Sequence, residues 1–217
     1  FGVTAGGSAV TAAQEIAVDV SDNLPVNWTL SSDKIWLKAT PAAGVGSGRF
    51  TVSIDPAAIP TAGLWLGTLT LNTNTSTNAQ LTVQVYLAVS PSTGAPFGAF
   101  DTPANNVTGL SSNVAVTGWS LDDVGVKRVQ LWRERVGSEP VYTNGMVFIA
   151  DAVFVPDARP DVAAMFPDKP NSYRAGLGYL ILTNFLPNPT GGPSGNGTYK
   201  LHAIAIDEEG KATELGV

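Results

Sequence analysis

The 217-residue sequence contains no cysteine, a single histidine and only 14% charged residues, against about 25% in a typical soluble domain. Without cysteine there are no disulfides, zinc–thiolate sites or thiol nucleophiles, and the redox compartment stays open because cysteine-free exported proteins are ordinary. With one histidine, a Ser-His-Asp arrangement has to use His202, which lies in the strand-like "YKLHAIA" with no recognisable nucleophile elbow. Basic runs are missing too. A net charge of −6 and a pI near 4.6 leave no electrostatic footprint for nucleic acid or anionic lipid. No stretch of about 18 apolar residues occurs, so no membrane insertion is expected. The chain opens at Phe1 without an initiator methionine or a signal-like segment, which reads as a mature or excised piece of something larger.

What the sequence does have is 44% hydrophobic residues, 23 glycines and 15 prolines, with threonine, serine, asparagine and valine in place of helix formers. That is enough apolar material for a core and the composition of a turn-rich all-β protein. Period-2 alternation marks "EIAVDV", "VNWTL", "KIWLKA", "RFTVSI", "LGTLTLN" and "QLTVQVYLAV" as strands in the first ninety residues. In the last of these, Leu81, Val83, Val85, Leu87 and Val89 share one face, and Thr82, Gln84 and Tyr86 the other. "SPSTGAP" then breaks the pattern as a linker does. Beyond it, "NVAVTGW", "VKRVQLWRE", "VYTNGMVFI", "YLILTNF" and "TYKLHAIAID" read as strands again, with Asn144-Gly145 a hairpin signal. "RPDVAAMF" permits a short helical turn that Pro167 stops. Tyr199, two residues before Leu201, has the spacing of the tyrosine that ties back a neighbouring loop in immunoglobulin-like sandwiches.

The expected fold is therefore all-β: two consecutive antiparallel, immunoglobulin-like β-sandwiches, over residues 1–90 and 96–217, joined by a linker at 91–95. The first half resembles the BACON family of bacterial β-sandwich domains over roughly residues 8–90, through "WTLSSDKIWLKATP", "GVGSGRFTVSIDP", "AGLWLGTLTL" and "LTVQVYLAV". Trp65 stands where that family often has tyrosine. The second half is similar to bacterial immunoglobulin-like modules, through "PFGAFDTP", "VAVTGWSLDDVGVKRVQLWRE", "DARPDV" and "GTYKLHAIAIDEEG". These resemblances imply an extracellular or cell-surface setting, further domains in the same parent chain, and a glycan or surface protein as ligand. The alternative is a passive spacer that holds another domain away from the cell.

Strand phase sorts the aromatic residues that could stack on a sugar ring. Trp28 is in phase with Val26 and Leu30, and Trp65 with Leu69 and Leu71, so both are expected in the core, as is Trp119. Trp36 opposes Ile35 and Leu37, Trp132 opposes Val129 and Leu131, and Tyr86 lies on a polar face. These three are the candidate ligand contacts, and each also fits ordinary surface or a domain contact.

Glycosidase chemistry needs two facing carboxylates, whereas the adjacent pairs Asp122-Asp123 and Glu208-Glu209 point to opposite faces of an extended strand. Both precede a glycine and read as polar turns. The alternative is a Ca2+ ion held by turn carboxylates and carbonyls, although no EF-hand or repeated Asp-x-Asp spacing is present. No other cofactor is expected, and no catalytic residue is assigned. The connection at about 150–178 is long enough to be functional or internally packed. Asp157, Arg159, Asp161 and Arg174 are expected to clamp it with charge-assisted pairs, while Val162, Met165, Phe166 and Tyr173 cap one end of the sandwich.

Overall fold

Among the described residues, the first ninety form eight strands in two sheets, which include the alternating segments, and the later ones form eight more. The computed structural model describes residues 1–21, 24–75, 77, 79–92, 94–142, 144–188 and 195–217. Thr93 of the linker and Thr143 before the Asn144-Gly145 turn lie outside the described residues. The chain divides into two units, Phe1–Thr93 with Asp123–Gly125, and Gly94–Asp122 with Val126–Val217.

In the first unit, β1 (Gly2–Thr4), β8 (Gln80–Ser90), β7 (Gly63–Thr73), β3 (Asn27–Ser32) and β5 (Ala43–Val45) lie side by side in that order. A second sheet holds β2 (Gln14–Val18), β6 (Gly48–Ile54) and β4 (Leu37–Thr40) in that order. The inward rows, Leu69 and Leu71 of β7, Val85, Leu87 and Val89 of β8, and Phe50, Val52 and Ile54 of β6, enclose one core with Trp28, Trp36 and Leu37. Burying the three β6 side chains is worth about 5–9 kcal/mol before conformational entropy is subtracted. One pairing departs from the antiparallel expectation, since β1 runs parallel to β8 with Val3 opposite Val89.

In the second unit, one sheet has the order β13 (Val153–Phe154), β14 (Gly176–Leu182), β10 (Asn113–Leu121), β9 (Phe97–Thr102). The other has β12 (Met146–Asp151), β11 (Val126–Glu134), β15 (Leu201–Asp207), β16 (Ala212–Gly216). Lettered in chain order from A to G, with β12 as C′, these are the D-E-B-A and C′-C-F-G sheets of an immunoglobulin-type sandwich. Val114, Val116, Leu177 and Ile181 from the first sheet pack against Val129, Leu131, Ala203 and Ala205 from the second. The Tyr199 hydroxyl donates to the carbonyl of Pro187 at 2.6 Å, tying the E–F connection to the start of β15. A turn closes at Asn144-Gly145, where the Tyr142 amide donates to the Met146 carbonyl and Gly145 adopts φ +79°. The helical segment is α1 (Pro160–Met165). Among the described residues, no helix is long and apolar enough to cross a membrane.

Several sequence expectations about single residues are overturned. Trp36 is 3% exposed and belongs to the core, because residues 33–36 form a turn in which strand alternation does not apply, so Trp36 and Leu37 are both buried. Its ring lies over Gly67, where an added Cβ would approach to 2.8 Å. Trp65, expected in the core, is 37% exposed. It keeps the phase of Leu69 and Leu71 but sits towards the end of a strand that reaches the core's rim, where its indole N–H donates to Thr61 O at 2.8 Å. Leu81 and Val83 are likewise in phase yet exposed. Met165 and Tyr173 are exposed rather than capping, whereas Val162 and Phe166 pack with Leu121, Ala175, Phe97 and Trp119.

Candidate functional site

The three aromatic candidates do not come together. Trp36 is interior. Trp132 is 8% exposed, and although its phase opposes Val129 and Leu131 as expected, that face is covered, with Tyr142 and Phe148 edge-on at ring-centroid distances of 5.4 and 5.0 Å. Neither tryptophan presents a ring to a ligand. Tyr86 does: it is 64% exposed, and its hydroxyl meets the Gln84 side chain at 3.3 Å on the outer face of β8.

The charged residues of the long connection are placed as follows. Arg159 makes a two-pronged pair with Asp161, Nε to Oδ1 at 2.9 Å and Nη2 to Oδ2 at 2.7 Å, and its Nη1 reaches Asp101 of β9 at 2.5 Å. Hydrogen bonding to this guanidinium lowers the Asp161 pKa to about 2, and hydrogen bonding to Asp161 raises that of Arg159. Asp157 anchors the segment through its backbone, in a left-handed conformation with φ +58°, by donating to Tyr173 O at 2.8 Å. Arg174 lies over the Phe154 ring at 5.6 Å, a cation–π contact in place of the expected ion pair. The sequence reading missed Asp101, which is 58 positions from its partner.

His202 is buried beside Trp132, its cross-strand neighbour. Its Nδ1 meets Glu214 at 2.5 Å, and its Nε2 is 3.8 Å from Glu134, which also pairs with Lys200 at 3.0 Å. The hydrogen bond from Lys200 lowers the Glu134 pKa. This arrangement ties β11, β15 and β16 together across one sheet.

Two other places have the form of a site. At the A–B end of the second sandwich, a cleft of about 680 Å³ lies between the connection that follows β9 and the one that precedes β15. Phe100, Leu186 and Tyr199 supply apolar walls, and Asn105, Asn106 and Thr198 supply amides and a hydroxyl. Asn106 holds φ +60°, a conformation asparagine tolerates better than most residues. At the opposite end of β10, Asp122, Asp207 and Glu209 each contribute a carboxylate oxygen to a group whose members lie within 4.8 Å of one another. The sequence pairs Asp122-Asp123 and Glu208-Glu209 are therefore regrouped by the fold. Asp122 follows β10, Glu209 lies in the F–G turn, and Asp207, not singled out from the sequence, ends β15. The signal for it was legible: Asp207 continues the inward row of Ala203 and Ala205.

No family model matches the sequence, and no curated protein matches it. Among solved structures, the chain is similar to a Bacteroides ovatus GH5 xyloglucanase in complex with a XXXG heptasaccharide. That match has 17% identity and a TM-score of 0.31 over 51% of this chain. The matched part spans 19% of the xyloglucanase chain. The chain is also similar to the CupB2 chaperone of Pseudomonas aeruginosa, at 11% identity and TM-score 0.30 over 96% of both chains. A third likeness is to a proposed carbohydrate-binding protein of Bacteroides ovatus, at 10% identity and TM-score 0.30, covering all of this chain and 68% of that one.

Proposed function

We propose that this chain is a non-catalytic binding module of an exported or surface protein, BACON-like in its first unit and bacterial immunoglobulin-like in its second. Its ligand would be a neutral polar one, of which a glycan is the leading candidate. The observation that carries this reading is the cleft at the A–B end of the second sandwich. Its volume falls within the range that holds small ligands, and its lining combines aromatic and aliphatic walls with amides and a hydroxyl, the chemistry that recognises a saccharide. Binding without bond cleavage requires only that shape and those polar groups. Trp36 and Trp132 play no part, because both are buried within their own units.

The test is a glycan-array screen of the whole chain beside two variants. Asn106→Gly keeps the left-handed backbone and removes one amide from the cleft. Tyr86→Ala removes the exposed ring of the first unit. Saturable binding that Asn106→Gly weakens at least about tenfold, with Tyr86→Ala unaffected, supports the cleft. Loss in Tyr86→Ala alone moves the site to the β8 face. No binding by the folded wild-type chain across a broad array sinks the reading in favour of the spacer.

A further inference from the structure

We infer that Asp122, Asp207 and Glu209 form a Ca2+ site that clasps the two sheets of the second sandwich together at its B–C and F–G end. In β10 the inward positions are Val114, Val116, Gly118 and Ser120, and the next is Asp122. In β15 they are Leu201, Ala203 and Ala205, and the next is Asp207. Each row of core-facing residues thus ends in a carboxylate, one from each sheet, where the pattern otherwise calls for an apolar side chain. Asp122 is 1% exposed and Asp207 fully buried. Glu209 reaches the same point from the turn, where Gly210, at φ +88°, lets the chain reverse while the Asp207 amide and the Lys211 carbonyl stay paired at 3.0 Å.

Carboxylates collected in a dry end of a sandwich repel one another and have lost their water, so each ionised group needs a compensating partner. Asp207 shows the gap directly. Its Oδ1 accepts from the Lys211 amide at 2.8 Å, which fixes the side chain, while its Oδ2 has no hydrogen-bond partner although the residue is entirely buried. An all-oxygen donor set with no nitrogen or sulfur selects a hard divalent cation. Oxygens on opposite sides of a Ca2+ ion stand about 4.6–5.2 Å apart, and those around Mg2+ no more than about 4.2 Å, so three carboxylates within 4.8 Å fit the larger ion with little movement. Val114 lines the cleft of the proposed function, and Asp122 lies about 26 Å further along the same strand. The cation site therefore stands or falls independently of the cleft.

The experiment is thermal unfolding of the EDTA-stripped 217-residue chain with and without Ca2+, read beside calorimetric titration of Ca2+ and of Mg2+. The expected result is one Ca2+ per chain and a rise in Tm on the order of 10 °C at about a hundred times the dissociation constant. In Asp207→Asn, which keeps the shape and removes the charge, Ca2+ should bind about tenfold more weakly or worse, with the rise in Tm correspondingly reduced. Should that variant fail to fold, Glu209→Gln in the turn carries the same expectation. Absence of Ca2+ binding to the wild-type chain overturns the site. So does an undiminished Ca2+ response in a folded variant, and tighter binding of Mg2+ overturns the assignment to calcium.

Discussion

Two tryptophans in phase with the core rows of their strands have different fates, Trp28 being 3% exposed and Trp65 37%, each set by what lies opposite. Trp28 places its ring over Gly44 of β5, where an added Cβ would come within 2.1 Å of ring carbon Cζ2, and its indole N–H donates to Gly46 O at 3.0 Å. Gly44→Ala should therefore force the ring or strand aside and cost about 1–3 kcal/mol, visible as a lowered midpoint in denaturant at unchanged slope. Arg133 is the corresponding case among charged residues. Its guanidinium is buried and makes a bidentate pair with Glu139 at 2.7 and 2.6 Å, and hydrogen bonding from it lowers the Glu139 pKa. Glu139→Ala leaves that charge without its carboxylate and should destabilise the protein by about 2 kcal/mol, whereas substitution of the exposed pair Lys200–Glu134 should leave stability nearly unchanged.

At the scale of elements, the D–E connection behaves as a packed excursion, with Arg159 as its side-chain tie to β9. Val162 and Phe166 of its helical segment settle against Phe97 and Trp119, and Arg159 ties it to β9 through Asp101. Arg159→Met should speed amide exchange within residues 156–175 while leaving the amides of β10 and β15 protected, because it removes the side-chain tie from that segment to β9. The Asp161 carboxylate, lowered to about 2 from the model-compound value of 3.8, supplies its contribution fully above pH 4 and loses it as the pH falls through about 2. Carboxyl NMR titration should find that value in the wild-type chain and an ordinary aspartate value in Arg159→Met. The cleft belongs to this scale as well, since it exists only where two connections, far apart in sequence, frame the same end of a sandwich.

Across the whole molecule, strand pairing is strongly non-local. β1 pairs with β8 some 85 residues away, β3 with β7, and β11 with β15. Loops of that size must close before the sheets reward them, so refolding from denaturant is expected in milliseconds to seconds or slower, and stopped-flow fluorescence of the five tryptophans should record it. A microsecond phase carrying the full signal change would contradict this.

The sequence by itself determined the all-β class, most of the longer strands, the tyrosine at the start of β15 and the helical turn before Pro167, because each depends on neighbours within about ten positions: side-chain alternation, a hairpin dipeptide, a helix stop. It missed short strands such as β5 and β13, whose few residues show no period. Tertiary structure decided what covers each face. It buried Trp36 in a turn, where strand phase does not apply, and it covered Trp132 and uncovered Trp65, because phase says only which way a side chain points and not whether another layer lies there. It separated the adjacent acidic pairs and joined Asp122 to Asp207 and Glu209, since the ends of strands B and F meet only when the two sheets close over one core. Alternation is a one-dimensional signal, whereas a cleft or a cluster of carboxylates is made by segments that only the folded chain brings together.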